Sequence, residues 1–344
     1  MKKSYKNILV YSGGEAIGDA LYKLSFIQNL RYNFPDSNIT WLAGQGDTEY
    51  SKTLKSIIKK FIDNVIDDVK IGYNPLSEFF RASPLIEKYD VIIDTQTVVI
   101  PTLLLKKVKH TVFLSATAKW FFSDFKPDNF SIKSSSLNER LNQFIILLKN
   151  GNIKYCNDDI ILDEKYHNLT DKLLPKGIDY VGFSPGAGDK SKIWPINKFI
   201  KLAKIQITKN RIPVFFLGPD EKNLLDFLKK ELPEAIFPEW TELAINSGIK
   251  GPILVIALAM KLKVAIANDS GTGHMFALSG TSLVSLFSKH NPIKYAPNAK
   301  KLIILDSKKW GGTDPNLIPL KEVENSINSY FDIIKIYMLI SNKL

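Results

Sequence analysis

The chain has 344 residues, 46 Lys and Arg against 35 Asp and Glu, a formal net charge of +11 and a hydrophobic fraction of 45%. That is enough for two domains with ordinary cores. One cysteine, Cys156, excludes an internal disulfide and a cysteine-rich metal site, and four scattered histidines argue against a zinc cluster.

The start, MKKSYKNILVYSGG, carries lysines but no apolar stretch of signal-peptide length. NILVY (Asn7–Tyr11) reads as a strand. The following YSGGEAIGD sets Gly13, Gly14 and Gly18 around a turn into a helix, with the buried-looking carboxylate Asp19 in its first turn. Leu21, Leu24, Ile27 and Leu30 then recur at helical spacing until Pro35-Asp36. NITWLAG, VIIDT and HTVFL are further strands. LLLKKVKHTVFLSATAKWFFSDFK mixes Lys106, Lys107, Lys109 and Lys119 with Trp120, Phe121 and Phe122. It reads either as a surface for anionic lipid or a phosphorylated acceptor, or as a strand and a partly buried loop with ordinary charges.

After the polar stretch NDDIILDEKYHNLTDKLLPKG the pattern restarts. YVGFS is a strand, NKFIKLAKIQI a helix, PVFFLG a strand, EKNLLDFLKKEL a helix, KVAIAND a strand, GHMFALSG a helix and SLVSLFS a strand. The run GPILVIALAM is cut by Lys261 and Lys263, too short to span a bilayer. A cytoplasmic protein of two α/β domains is expected, each with parallel strands and glycine-rich loops at the strand ends, where such sheets bind ligands.

The loop chemistry differs between the halves. The opening loop fails the G-x-G-x-x-G spacing of a dinucleotide cradle. Asp19 is read as a helix cap or as a general base. In SPGAGDKSKIWP, small residues at Ser184 and Gly186 let a phosphate approach backbone N–H groups, and Lys190 and Lys192 add charge; the alternative is a basic surface loop. In NDSGTGH, Asp269, Ser270, Gly271 and Thr272 open a helix as a nest for a diphosphate, with His274 on that helix. No spacing of carboxylates or histidines suggests a metal site. The basic charge implies acidic partners or reflects genome bias. No nucleic-acid module is recognised.

Three stretches together resemble one family. GDALYKLSFIQNLRYNFPDSNITWLAG, FSPGAGDKSKIWPINKFIKLA with its K-x-W-P, and NDSGTGHMFALSGTSLVSLF are similar, in order and spacing, to the signatures of bacterial heptosyltransferases, glycosyltransferase family 9. The resemblance covers about residues 7 to 330. It implies a GT-B fold, two Rossmann-like domains facing across a cleft. Residues 1–170 would bind acceptor and 171–325 the nucleotide sugar, with a helical tail at 326–344 packing back on the first domain. It implies an inverting transfer without metal or other cofactor, from an ADP-linked heptose to a lipopolysaccharide-core or related glycan hydroxyl. Peripheral contact with the inner face of the cytoplasmic membrane would follow from such an acceptor.

By the same resemblance Asp19 matches the general base and Lys192 the lysine on donor phosphate. Asp269, Ser270, Gly271 and Thr272 match the pyrophosphate loop beside His274, and Glu221 an acid on the donor ribose. Glu15, Tyr22, Lys23 and SKHNPIKYAP depart from the family pattern. A sugar-nucleotide epimerase or hydrolase on the same fold is the first alternative, and a non-catalytic sugar-binding protein the second.

Overall fold

The computed structural model describes residues 4–67, 69–71, 85–128, 136–156 and 158–341, with side chains through residue 332. It divides into two compact units, Met1–Asp158 and Asp159–Leu344.

The first unit is built on β1 (Asn7–Ser12), β2 (Asn38–Ala43), β3 (Asn64–Ile66), β4 (Tyr89–Asp94) and β5 (His110–Ser115). All pair in parallel, in the order β3-β2-β1-β4-β5. Ile8, Leu9, Val10 and Tyr11 of the central strand are all fully buried. An unbroken apolar run, rather than alternation, is what a strand covered on both faces requires. Its longer helices are α1 (Ile17–Asn33), α2 (Val99–Leu105) and α3 (Leu137–Leu148). The stripe expected on α1 is buried, but so are Lys23, Gln28 and Asn29 on other sides. Helix α3 covers that second face, and Asn29 donates to Asn142 across the contact at 3.0 Å. Arg31 closes α1 by donating to the carbonyls of Phe61, Pro35 and Ser37 and to Asp63.

The second unit holds β6 (Tyr180–Ser184), β7 (Ile212–Phe215), β8 (Val264–Asn268), β9 (Ser282–Phe287) and β10 (Leu302–Asp306). They are parallel in the order β10-β9-β8-β6-β7. Its longer helices are α4 (Glu164–Leu173), α5 (Ile196–Thr208), α6 (Leu225–Glu231), α7 (Pro252–Ala259), α8 (Gly271–Leu278) and α9 (Leu320–Ser341). The unit begins at Asp159, not at residue 171, because α4 packs against α7. The apolar run after Gly251 is α7, wrapped on all sides from Ile253 to Ala259. The stretch EKNLLDFLKKEL is not one helix: a 3₁₀ segment, Pro219–Leu224, precedes α6. Through Phe331, α9 packs on the core of its own unit with Val323, Ile327 and Tyr330. The side chains beyond residue 332, and with them the expected packing of the tail on the first unit, lie outside the described residues.

The two strand orders are different. Counted within each unit they are 3-2-1-4-5 and 2-1-3-4-5, the two common doubly wound arrangements. Each reverses direction beside its first strand, between β1 and β4 in one sheet and between β6 and β8 in the other. At such a point the loops leaving adjacent strands diverge to opposite faces and open a crevice.

Candidate functional site: two switch-point loops

In the first unit, the loop after β1 is shaped by Gly14, whose φ of +111° is open to glycine but strained for other residues. A Cβ there would stand 3.0 Å from the carbonyl of Asp47. Gly13 sits beside the Gln96 amide and Gly18 lies in the first turn of α1. Asp19 is not buried: it is exposed in that turn, and among the described residues its carboxylate takes no hydrogen bond. The helix begins at Ala16 without a side-chain cap. The cap reading of Asp19 therefore has no bond to rest on.

Beneath the loop lies a buried polar network that sequence reading missed. Lys23 Nζ donates to Glu15 Oε1 at 2.9 Å and to Ser12 Oγ at 2.8 Å, and Trp41 Nε1 reaches Glu15 Oε2 at 3.4 Å. Tyr50 packs edge-on against Trp41, and its hydroxyl donates to the Ala20 carbonyl at 2.6 Å. Burial, then the nearby charges of Glu15 and Asp19, push the Tyr50 phenol well above its ordinary range. At the end of β4, buried Asp94 accepts from Thr102 (2.6 Å), Ser115 (2.8 Å) and the Gln96 N–H (2.9 Å). Burial outweighs those donors and raises its carboxyl to about 6.

In the second unit the loops after β6 and β8 meet at the switch point. Ser184 ends β6, opposite Ala267, one residue short of Asn268. The Asn268 side chain ties the β6 loop at both ends, donating to the Pro185 carbonyl (2.8 Å) and accepting from the Trp194 N–H (3.1 Å). Trp194 is fully buried, and its indole donates to the Ile318 carbonyl at 3.1 Å. The Lys-x-Trp-Pro spacing thus anchors a tryptophan in the core and holds Lys192 two residues before it. Asp189 shapes the turn by accepting from the Ser191 N–H at 2.9 Å.

Lys192 Nζ lies 3.2 Å from Asp269 Oδ2, and His290 Nδ1 lies 2.7 Å from the same oxygen. His290 follows β9, and its role was not visible in sequence because only the pairing of β8 with β9 brings it to Asp269. Ser270 precedes α8, and its buried hydroxyl has no hydrogen-bond partner among the described residues. Gly271 and Thr272 form the first turn of α8, whose N–H groups lack intrahelical acceptors. His274 is half-buried in the next turn.

Glu221, in the 3₁₀ segment Pro219–Leu224 that follows β7, folds back on this loop. Its carboxylate lies where a Cβ on Gly186 would fall, 2.4 Å away, and 2.8 Å from one on Gly218. Burial, then neighbouring Asp220, raises its carboxyl above the ordinary value. So Ser184, Gly186, Lys192, Glu221, Asp269 and the start of α8 gather at one sheet edge. Among the described residues no three His, Cys, Asp or Glu side chains cluster as metal ligands would, and no helix is long and apolar enough to cross a membrane.

The basic-aromatic stretch does not form one patch. Trp120 is core, packed on Phe144, and Lys106 reaches the Phe122 carbonyl and lies over Phe113. Phe121 is exposed, with Lys126 over its ring.

Two doubly wound units, each with its glycine-containing loops at the switch point, are the architecture of the GT-B class. Residues 82–314 match the family model described as glycosyltransferase family 9 (heptosyltransferase), and the chain belongs to that family. It is 20% identical over 290 residues to the lipopolysaccharide core heptosyltransferase OpsX of Haemophilus influenzae, covering 82% of this chain and 79% of that protein. Among solved structures it resembles the family 9 glycosyltransferase of Veillonella parvula, with TM-score 0.71, 20% identity, and 96% and 98% of the two chains covered. It also resembles the E. coli heptosyltransferase WaaC with ADP, with TM-score 0.64, 14% identity, and 94% and 99% covered.

Proposed function

We propose that the chain transfers a heptose from an ADP-linked donor to a hydroxyl of a lipopolysaccharide-core glycan, with inversion and without a metal. The observation that carries this reading is the second switch point: a cation held by a buried carboxylate, beside the open first turn of a helix, on a loop pinned to the core. Such a site suits a diphosphate. The adenine and the heptose are taken from the relatives, WaaC with ADP and the heptosyltransferase OpsX.

The chemistry is a direct displacement. Asp19, exposed and unencumbered, takes the proton of the acceptor hydroxyl as its oxygen attacks the anomeric carbon. The bond from that carbon to the diphosphate oxygen breaks, and charge grows on the leaving group. Lys192 and the N–H groups of the first turn of α8 stabilise that charge; Ser270 and Thr272 add hydroxyl donors. Asp269 holds Lys192 in place rather than touching the phosphates, since a second anion there would repel them. Glu221 serves the donor ribose. The first unit takes the acceptor, at the cytoplasmic face of the membrane.

Calorimetry with ADP tests the donor half. Binding in the micromolar range that weakens by about one to two decades in Lys192→Ala supports it, and absence of binding to the intact chain refutes it. Product stereochemistry from an ADP-heptose transfer assay tests the rest.

A further inference from the structure

A small cavity lies in the first unit, at the same sheet edge as the Asp19 loop. Thr95 and Thr97 follow β4, Ala116 follows β5, and the start of α3 closes the space above them. Together with Trp120, Arg140 and Phe144 they line a cavity of about 40 Å³. Two of these residues carry a buried nitrogen with no hydrogen-bond partner among the described residues, Trp120 Nε1 and Arg140 Nε. Trp120 itself is 4% exposed. Arg140 forms no ion pair with any described carboxylate. Two buried donors without acceptors are costly unless a ligand supplies the acceptor.

The backbone reaches this arrangement under strain. Ala118, Lys119 and Trp120 have φ of 49°, 56° and 66°, three successive left-handed residues with no glycine among them. Residues held this way gather where a fold must present a side chain to a ligand. Here the segment turns the Trp120 indole inward against Phe144. The capping box of Ser136 and Glu139 fixes the start of α3, and Arg140 sits one turn into it. Tyr22 meets that same helix start, and it lies three residues along α1 from Asp19, on the same face.

We propose that this cavity receives an anionic oxygen group, a carboxylate or a phosphate, carried by the sugar acceptor. The indole N–H and the guanidinium N–H donate to its oxygens, and the Thr97 hydroxyl adds a third donor, while the Thr95 hydroxyl is already committed to the Tyr11 carbonyl. The volume admits the head of such a group and not a sugar ring, so the cavity orients an acceptor whose hydroxyl lies elsewhere on the unit. The proposal rests on the reading of the first unit as the acceptor side.

The test is nuclear magnetic resonance on the full chain labelled with ¹⁵N, following indole N–H signals. Trp120→Phe assigns the Trp120 signal by its loss. Inorganic phosphate and acetate are titrated first, then glucose 6-phosphate and glucuronate as sugar-borne counterparts. The expected result is a saturable shift of the Trp120 signal, with the sugar-borne anions binding at least as tightly as the free ones. Arg140→Gln should weaken it by about tenfold or more, as for loss of a charge-assisted bond. Arg140→Lys, which keeps charge but loses the Nε–H, should also weaken it. A Trp120 signal unmoved by all four anions overturns the proposal, as does one that responds in both Arg140 variants with the affinity of the wild type. A response to free anions alone overturns its acceptor-borne part. ADP calorimetry on the same sample reads the donor site independently, so failure of one does not pass for failure of the other.

Discussion

Lys23 and Glu15 stand eight residues apart across the loop–helix junction, and their side chains meet at 2.9 Å with the carboxylate fully buried. Each alone looks like a departure from the family pattern; together they form one structural unit beneath the Asp19 loop. Removing one partner leaves the other charge buried and alone. Lys23→Met is expected to cost about 3–5 kcal/mol. The double variant Glu15→Gln/Lys23→Met should recover much of that, because no charge remains unpaired. Urea unfolding of the four proteins measures the coupling; additive losses would show that the pair is not coupled.

Lys192→Ala is expected to weaken ADP binding by about one to two decades, since a charged contact to phosphate is worth roughly 1.5–3 kcal/mol. Asp269→Asn should weaken binding less, through looser placement of Lys192. Titration calorimetry on folded variants checks both. Equal affinity for wild type and Lys192→Ala would remove the lysine from the donor site.

Asp19→Asn is expected to lower turnover by about 10²–10⁴-fold while leaving ADP affinity and melting temperature near those of the wild type. The structure sharpens the control. Because the Asp19 carboxylate makes no capping bond among the described residues, Asp19→Ala should not show the loss of about 0.5–2 kcal/mol that removing a cap produces. A marked loss of stability with unchanged turnover would reverse the assignment.

Asp94 supplies a pH dependence. Its folded carboxyl titrates at about 6, above the unfolded value. Between about pH 4 and 6 the native state holds a proton that the unfolded chain has released, so its contribution to stability falls as pH rises through that window. Asp94→Asn does not titrate. From pH 4 to 7 the difference between wild type and variant should therefore move against the wild type, by about 2–3 kcal/mol. Urea midpoints at several pH values test this, and a constant difference would contradict it.

Transfer activity is expected to survive EDTA, since Lys192 and the first turn of α8 carry the charge that a divalent ion would otherwise neutralise. Complete loss restored by added metal would overturn this.

Much of the fold was legible because the central strands are buried on both faces and read as short apolar runs beside glycine-rich loops. The edge strands β3 and β10 were not: Asn64–Ile66 is too short to show a period, and β10 is only half-buried. The loops after β6 and β8 stood out as candidate phosphate sites because small residues, lysine and a helix start lie adjacent in the chain. What joins them was not legible. Asn268 clasps a loop more than seventy positions away, and His290 reaches Asp269 only through strand pairing. Asp19 looked buried because apolar residues follow it, yet the first turn of α1 faces outward there. Glu15 and Lys23 stood out as oddities, but their partnership needed three dimensions.

The carboxylate of Glu221 rests on bare backbone at Gly186. These positions leave different strands and share no sequence neighbourhood, yet neither is free to vary alone. Any side chain at 186 would displace the acid, so the bare α-carbon there is what lets the carboxylate lie against this loop.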